Sequence, residues 1–160
     1  MYLSAIEIKI RPAKLTDAGI IAEFNTRMAF ETEKRQLDAK RVKEGVTAIL
    51  RDAAKGSYFV AEVPTVSGRA VTGQLLITSE WSDWRNGNFW WVQSVYVSEA
   101  FRGNGIFRAL FRHVQSLART RSDVCGLRLY MDAHNNQARQ AYERLGWKLS
   151  NYQIYEMDFA

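Results

Sequence analysis

The first part of the chain changes from a two-residue period to a helical period in its apolar positions. Residues 5–11 alternate isoleucines with charged side chains, which predicts a half-buried strand that Pro12 ends. A helix is then expected to begin at a cap formed by Thr16 or Asp17. Its apolar positions recur at helical spacing and are Ile20, Ile21, Phe24 and Met28. A charged connection over residues 31–35 separates this helix from the next one.

A second helix is predicted from about Asp38, and Gly56 interrupts its pattern. The apolar positions of this helix are Val42, Val46, Ile49, Leu50 and Ala53. Two apolar runs follow at residues 57–63 and 70–79, with turn residues between them. Such a pair predicts a β-hairpin.

The middle of the chain combines aromatic residues with turn signals. Residues 81–88 predict a polar and aromatic loop, because Asn86 directly before Gly87 is a strong turn signal. Residues 89–97 are strongly apolar and predict a strand, and an amphipathic helix begins at Ile106. The apolar arc of that helix contains Ile106, Phe107, Leu110, Phe111, Val114, Leu117 and Ala118.

The remaining chain predicts a strand, a short helix and a last strand. Residues 127–132 form the strand, which should lie parallel to the strand before the helix, joined to it by a right-handed crossover. Asn135 or Asn136 is expected to cap the short helix, and Gly146 is expected to end it. Residues 147–159 predict one last long strand or hairpin. This element order predicts a single α/β domain over residues 1–160, with a mixed sheet and helices on both faces.

Composition narrows the class of protein. The 160 residues carry a net charge of +5, but Lys and Arg are scattered along the chain, so the charge suits an anionic ligand without predicting nucleic-acid binding. Cys125 is the only cysteine, which excludes an intrachain disulfide and argues against a cysteine-based metal site. The chain also shows no secretory signal and no apolar stretch of membrane-spanning length. We therefore expect a cytoplasmic protein with no metal and no membrane partner.

Residues 95–110 carry the most informative pattern. A strand passes into a helix through a short polar turn that holds Gly103 and Gly105. Backbone N–H groups at the start of a helix attract anions such as phosphate, and glycine lets a ligand approach the backbone closely. The turn lacks the Gly-Lys-Ser/Thr of a phosphate loop and the third glycine of the dinucleotide fingerprint. A plain tight turn before a helix is the alternative interpretation.

Two motifs give the chain a resemblance to a known family. The first is the run Arg-Gly-Asn-Gly-Ile at residues 102–106, and the second has Asn135, Ala138, Tyr142 and a Gly-Trp pair at 146–147. In this order, with a strand between them, they resemble the GCN5-related N-acetyltransferase (GNAT) superfamily. The resemblance implies a mostly antiparallel sheet with one splayed parallel strand pair. The chain departs from the pattern at Ala100 and Phe107.

The resemblance implies that the turn binds the pyrophosphate of acetyl-coenzyme A, which would be the cosubstrate. The implied donors are the backbone amides of Gly103, Asn104, Gly105, Ile106 and Phe107, with Arg102 and Arg108 as charge partners. The pantetheine arm would pair with the strand edge formed by Val95, Tyr96 and Val97. A bulge would open that edge, and the N–H of Val95 could stabilise the developing oxyanion.

The second motif supplies the predicted proton donor. The resemblance places Tyr142 beside the thioester sulfur, where a phenol with a pKa of about 10 can protonate a departing thiolate. A core tyrosine with a locally satisfied hydroxyl is the structural alternative. Asn135 is expected to cap the short helix, to contact coenzyme A, or to do both.

The general base is not evident. Many members of the family place a carboxylate two residues before the position of Val95, and here that residue is Gln93. A water chain could carry the proton instead, or a carboxylate among Glu31, Glu33, Glu80 and Asp83 could do so. Each of these four is more commonly a solvated charge.

We therefore expect an N-acetyltransferase that moves an acetyl group from acetyl-coenzyme A to an amine by direct attack in a ternary complex. The acceptor would be a small-molecule or peptide amine. Trp90 and Trp91 could line its pocket, or they could belong to the core or to a homodimer contact. A non-catalytic or regulatory coenzyme-A-binding module on the same fold is the alternative.

Overall fold

The structure is a computed structural model that describes residues 6–159. Its elements in chain order are β1 (Lys9–Pro12), α1 (Ala18–Glu33), α2 (Ala39–Arg51), β2 (Ser57–Thr65), β3 (Gly68–Ser82), β4 (Gly87–Val97), α3 (Ile106–Arg119), β5 (Val124–Arg128) and α4 (Asn136–Arg144). The chain divides into two compact units, Met1–Leu129 and Tyr130–Ala160. The first contains the whole sheet with α1, α2 and α3, and the second contains α4.

The five strands form one sheet in the order β1-β2-β3-β4-β5. The first three neighbouring pairs are antiparallel, and β4 and β5 are parallel. Because α3 connects the two parallel strands, the predicted crossover unit is confirmed. The α/β class and the mixed, mostly antiparallel sheet are therefore confirmed as well.

Helices cover both faces of this sheet. On one face, Ile21 of α1 and Val46 of α2 belong to a buried cluster with Tyr58 and Leu76 of the sheet. On the other face, α3 lies so close to β3 that a Cβ added at Gly73 would be 2.9 Å from Ile106 Cγ2. A side chain at position 73 would therefore push α3 away from the sheet.

The start of α1 is fixed by a part-buried ion pair. Arg11 Nη1 donates to Asp17 Oδ2 at 2.8 Å and Nη2 donates to Oδ1 at 3.0 Å, while the Lys14 N–H donates to the same carboxylate at 2.6 Å. Burial alone would raise the pKa of Asp17, but these hydrogen bonds outweigh it and the pKa is lowered. Asp17 is the residue before α1, as predicted, although its carboxylate binds Arg11 instead of capping that helix.

The predicted helices and the hairpin are confirmed, with some shifted boundaries. Residues 31–33, expected in a charged connection, form the last turn of α1, and Lys34 directly after the helix has φ 55°. The loop expected over residues 81–88 contains only residues 83–86, because Trp81 pairs with Asn88 and the hairpin ladder continues through them. Polar and aromatic side chains do not interrupt such a ladder, because its hydrogen bonds join backbone groups.

Three predicted strands differ from the structure. The first begins at Lys9, and residue 5 of its predicted span lies outside the described residues. The strand predicted over 127–132 is β5, Val124–Arg128, because pairing with β4 already begins at Val124. The last strand or hairpin, predicted over 147–159, is wrong: among the described residues, no ladder includes this segment. An apolar run becomes a strand only where another strand pairs with its backbone.

Candidate functional site

Strand β4 contains a bulge at Ser94 and Val95. Gln93 pairs with Leu76 and Tyr96 pairs with Gln74, so two residues of β4 lie opposite the single residue between Gln74 and Leu76. Ser94 has φ 49°, a left-handed conformation that is unusual for a residue other than glycine. The extra residue in a bulge leaves the ladder and turns its backbone groups away from the neighbouring strand.

The same strand separates from its parallel neighbour. The ladder between β4 and β5 begins at Asn88 and ends where Trp91 pairs with Arg128. Within the first unit, residues 92–97 therefore extend past the end of β5. The splayed strand pair and the bulge, both implied by the resemblance, are present.

The bulge reverses the face on which Tyr96 lies. Strict alternation would place Tyr96 opposite to Trp91 and Gln93, but the extra residue returns it to their face. Tyr96 is buried there against Phe24 of α1, with ring centroids 5.2 Å apart. Its hydroxyl donates to Glu31 Oε1 at 2.8 Å. Burial, together with this acidic partner, raises the pKa of Tyr96.

The turn after β4 has the predicted geometry. Gly103 has φ 79° and Gly105 has φ 83°, and a Cβ added at either would meet nothing within 4 Å. Glycine is thus needed for the backbone conformation, and the surface outside both positions is open. The Asn104 side chain donates to the carbonyls of Phe101 and Arg102 at 3.1 and 3.2 Å and braces the loop.

Gly105 leads directly into α3. The Gly105 carbonyl accepts the first helical hydrogen bond, from Ala109 N–H at 2.9 Å. The amides of the first turn of a helix point along its axis towards the preceding loop, which here is the glycine turn. Arg108 is exposed on this first turn, and Phe107 packs on Phe111 with ring centroids 4.6 Å apart. Phe107, which departs from the family pattern, is therefore accommodated by an aromatic contact with another residue of the same helix.

Arg102 joins the turn to the end of α1. Its Nε donates to the Val97 carbonyl at 2.9 Å, and its Nη2 donates to Glu31 Oε2 at 2.6 Å. The guanidinium also lies over the Tyr96 ring at 5.4 Å. Arg102, predicted as a charge partner for pyrophosphate, thus has a carboxylate partner of its own, and the Val97 carbonyl already accepts one hydrogen bond.

The carboxylates considered as bases are mostly engaged in other contacts. Burial alone would raise the pKa of Glu31, but hydrogen bonds from Tyr96 and Arg102 outweigh it and the pKa is lowered, which weakens Glu31 as a base. Glu80 accepts from Arg128 Nη1 at 2.9 Å and from Trp91 Nε1 at 2.5 Å. Of the remaining two, Glu33 is exposed, and Asp83 is exposed and accepts from the N–H of Trp84.

At the position where a base was expected, Gln93 has a polar contact of its own. Its Nε2 donates to Thr78 Oγ1 at 2.5 Å. Both side chains are half-buried. An amide and a hydroxyl can orient a water molecule, but neither takes up a proton near neutral pH.

The second unit holds the other motif. Asn135 Oδ1 accepts from the Ala138 N–H at 3.0 Å, so its predicted capping role is confirmed. Gly146 has φ 86° and follows the end of α4, as predicted. Burial raises the pKa of Tyr142, whose ring lies 6.3 Å from that of Trp147 between centroids.

Sequence reasoning missed a buried polar cluster beneath the bulge, formed by Asn25, Tyr58 and Gln74. Gln74 is fully buried, and its Nε2 donates to Asn25 Oδ1 at 2.6 Å and to the Ser94 carbonyl at 3.2 Å. Asn25 Nδ2 donates to the Tyr58 hydroxyl at 3.1 Å. The available signal was a glutamine directly before the apolar run at 75–77.

Within residues 6–159, no helix has the length and apolar character needed to cross a membrane. Over the same residues, no three side chains of His, Cys, Asp or Glu come together in a way that could hold a metal ion.

Comparisons with known proteins show the family to which this chain belongs. The sequence model of the acetyltransferase (GNAT) family matches residues 21–147. A crystal structure described as a possible acetyltransferase from Clostridium difficile 630 is 41% identical, with a TM-score of 0.87, and the match covers 96% of this chain and 98% of that one. Comparison with the curated proteins found no match.

More distant solved structures share the fold. A ribosomal-protein-alanine N-acetyltransferase from Brucella melitensis biovar Abortus 2308 is 22% identical, with a TM-score of 0.74 and coverage of 96% of this chain and 100% of that one. A transcriptional regulator from Bacillus halodurans C-125 is 19% identical, with a TM-score of 0.77 and the same coverage.

Proposed function

Because the chain belongs to the acetyltransferase (GNAT) family, we propose that it transfers the acetyl group of acetyl-coenzyme A to an amine by direct attack in a ternary complex. The observation that carries this proposal is the bulged end of β4, which passes within a few residues into the glycine turn and α3. Acetyl-coenzyme A has a thioester at one end of an extended arm and a pyrophosphate at the other. The thioester would lie at the bulge, and the pyrophosphate would lie at the glycine turn.

The glycine turn would bind the pyrophosphate. Amides of Gly103, Asn104, Gly105, Ile106 and Phe107 are the proposed donors, supported by the helix dipole of α3 and by the exposed cation of Arg108. The open space outside Gly103 and Gly105 allows a phosphate to reach the backbone. Because Arg102 is already paired with Glu31, we propose that it contributes less to phosphate binding than the sequence predicted.

The thioester would lie along β4 after the bulge. The arm would pair with the backbone of Val95, Tyr96 and Val97, and the Val95 N–H would donate to the thioester oxygen. A backbone donor fixed before the reaction stabilises the oxyanion that develops as the amine nitrogen attacks the carbonyl carbon. The carbon–sulfur bond then breaks and yields an acetamide and the thiolate of coenzyme A.

The acceptor nitrogen, which starts as an ammonium group, loses two protons in this reaction, and the sulfur of coenzyme A gains one. We assign protonation of the thiolate to Tyr142, on the basis of the family motif, and the raised pKa of its phenol keeps it protonated near neutral pH. An acceptor amine with a pKa of about 10 must lose a proton before it attacks. Since Glu31 and Glu80 are paired, we propose that water ordered near Gln93 and Thr78 carries this proton to the solvent. The second proton of the nitrogen, lost as the acetamide forms, replaces the one that Tyr142 gives to the thiolate.

A coenzyme-A-binding module without catalysis remains the second candidate. The observation that favours it is Gln93, an amide at the position where many family members carry a carboxylate. The transcriptional regulator from Bacillus halodurans shows that a protein with that description has this fold, but its low identity supports no closer link. The predicted cytoplasmic location remains a prediction for either candidate.

Two assays on one preparation separate the candidates. Calorimetry measures binding of acetyl-coenzyme A, and a thiol-detecting reagent measures release of coenzyme A in the presence of polyamines, amino acids, aminosugars and peptides with free N-termini. We expect binding together with amine-dependent thiol release, and an acetylated product in the mass spectrum. Binding without thiol release for every amine would favour the second candidate, and absence of binding would overturn both.

A further inference from the structure

A buried polar cluster connects α1 to the bulge of β4. Its members are Asn25 of α1, Tyr58 of β2 and Gln74 of β3, and its last hydrogen bond ends at the Ser94 carbonyl. Tyr58 and Gln74 are buried, and they lie on the same face of the sheet as Leu76 of the α1 core cluster. The cluster thus lies in the core, beneath the strand that the proposed chemistry uses.

We propose that Gln74 is a positioning residue, which holds the Ser94–Val95 bulge in the shape that presents the Val95 N–H to the thioester. This inference rests on the proposed function. It adds to that function a residue that touches neither coenzyme A nor the acceptor and acts through the backbone of β4.

Ser94 has a backbone conformation that needs support from its surroundings. A left-handed serine persists only where surrounding contacts hold it, because the conformation is unfavourable for a residue with a Cβ. One such contact comes from the Gln74 amide, which donates to the carbonyl of that same residue at 3.2 Å. The bond therefore acts on the peptide unit between Ser94 and Val95, whose other end is the Val95 N–H.

The orientation of the Gln74 side chain is itself determined by hydrogen bonds. Its Nε2 donates to both Asn25 Oδ1 and the Ser94 carbonyl, so a single NH₂ group joins the helix to the bulge. Asn25 is held in turn by the Tyr58 hydroxyl. Burial raises the pKa of Tyr58, against an opposing effect of its contacts with Asn25 and Ser94, so the phenol stays neutral.

The other half of the Gln74 amide is unsatisfied. Among the described residues, the buried Oε1 of Gln74 has no hydrogen-bond partner. A buried polar atom without a partner is unfavourable, and such groups are uncommon in folded proteins. A methionine of similar size would avoid this cost but would also remove the bond to Ser94, which suggests that the bond has a role beyond stability.

The test compares two ligands that share the nucleotide half of coenzyme A. Acetyl-coenzyme A uses both the turn and the proposed β4 edge, whereas 3′-phosphoadenosine 5′-diphosphate can use only the turn. We expect Gln74→Met to weaken acetyl-coenzyme A binding about five- to tenfold, the loss of roughly one hydrogen bond, and to change nucleotide binding by less than about twofold.

Thr72 provides the matched control. It is buried on the same strand, and its Oγ1 donates to the Ala61 carbonyl at 3.3 Å, away from the bulge. Thr72→Val therefore removes a buried hydrogen bond of β3 while leaving Gln74 in place. We expect this variant to leave the ratio of the two dissociation constants unchanged.

The possible outcomes differ in meaning. If wild-type protein does not bind acetyl-coenzyme A, the proposed function fails, and this inference fails with it. If wild type binds but Gln74→Met leaves the ratio unchanged, or Thr72→Val shifts it equally, only the positioning role is wrong. Should Gln74→Met fail to fold, Asn25→Ala provides the same test, with a smaller shift expected, and an unchanged ratio in that variant would overturn the role.

Discussion

Glu31 and Arg102, which lie 71 residues apart in the sequence, form an ion pair with 2.6 Å between Oε2 and Nη2. The pair joins the last turn of α1 to the start of the glycine turn, and Tyr96 donates to the other oxygen of the same carboxylate. One carboxylate thus connects the end of α1, strand β4 and the proposed pyrophosphate site.

The first prediction concerns this pair. Both side chains are more than a third exposed, so the ion pair should contribute less than about 1 kcal/mol to the free energy of unfolding. We expect Glu31→Gln to change stability by no more than that in urea unfolding at neutral pH. It should not weaken acetyl-coenzyme A binding, because it frees the Arg102 guanidinium beside the turn. A severalfold loss of affinity would show instead that Glu31 positions the turn.

The second prediction concerns the part-buried pair of Arg11 and Asp17, whose side chains are 18% and 9% exposed. Neutralising Asp17 leaves the Arg11 guanidinium with Glu62 at 2.7 Å but weakens its two hydrogen bonds to position 17, so Asp17→Asn should lower the free energy of unfolding by about 2 kcal/mol. Urea unfolding measures this value. Glu33→Gln, which changes an exposed carboxylate near the other end of α1, should alter it by less than about 0.5 kcal/mol.

The pH dependence follows from the same carboxyl group. Its pKa is lower in the folded protein than its usual value of 3.8, so the unfolded chain binds more protons as the pH falls towards and below that value. The stabilisation is therefore present above about pH 4 and is lost as the pH falls through the folded pKa. Wild-type stability should decrease over this range more steeply than that of Asp17→Asn. Parallel curves would contradict the assignment.

The third prediction concerns Gly105. Its φ of 83° is unfavourable for alanine, although a Cβ would meet no atom within 4 Å, so Gly105→Ala should cost about 1–2 kcal/mol through backbone strain alone. Because relief of that strain would turn the first amides of α3, acetyl-coenzyme A affinity should fall as well. Gly45→Ala is the matched control, since Gly45 lies exposed inside α2 with equal space and should gain up to about 1 kcal/mol. Urea unfolding measures the stability of both variants, and calorimetry measures their affinity for acetyl-coenzyme A. Equal changes of stability and affinity in the two variants would refute the prediction.

The fourth prediction concerns Tyr142. Tyr142→Phe removes the phenol proton but keeps the ring, so turnover should fall at least tenfold while the dissociation constant of acetyl-coenzyme A stays within about twofold. Tyr155→Phe, at an exposed tyrosine of the same unit, should change neither quantity. Unchanged turnover in Tyr142→Phe would remove this residue from the mechanism.

Local signals explain what was predicted well. The Gly103–Gly105 turn, the beginning of α3 and the Asn135 cap depend on neighbouring residues, so short patterns identify them. The parallel pair of β4 and β5 followed from chain connectivity. The failed prediction of a last strand over 147–159 shows the limit of this approach, because pairing depends on an available edge and not on the segment itself.

The contacts around the bulge lay beyond sequence reasoning. Gln74 contacts Asn25 from 49 residues away and Ser94 from 20, and the extra residue in β4 reverses the face of Tyr96. Neither the long-range contacts nor the extra residue changes the spacing of apolar residues along the sequence, so periodicity does not reveal them. The pairing of Arg102 with Glu31 was hidden for the same reason, so a cation close to a predicted anion site appeared to belong to the ligand.

The most direct test of the central claim is a crystal structure of this protein with acetyl-coenzyme A. We predict the thioester oxygen within about 3.2 Å of the Val95 nitrogen, a hydrogen-bond distance, and the pyrophosphate against the amides of residues 103–107. A thioester bound away from Val95, or a pyrophosphate bound away from the glycine turn, would contradict the proposed acetyl-coenzyme A site.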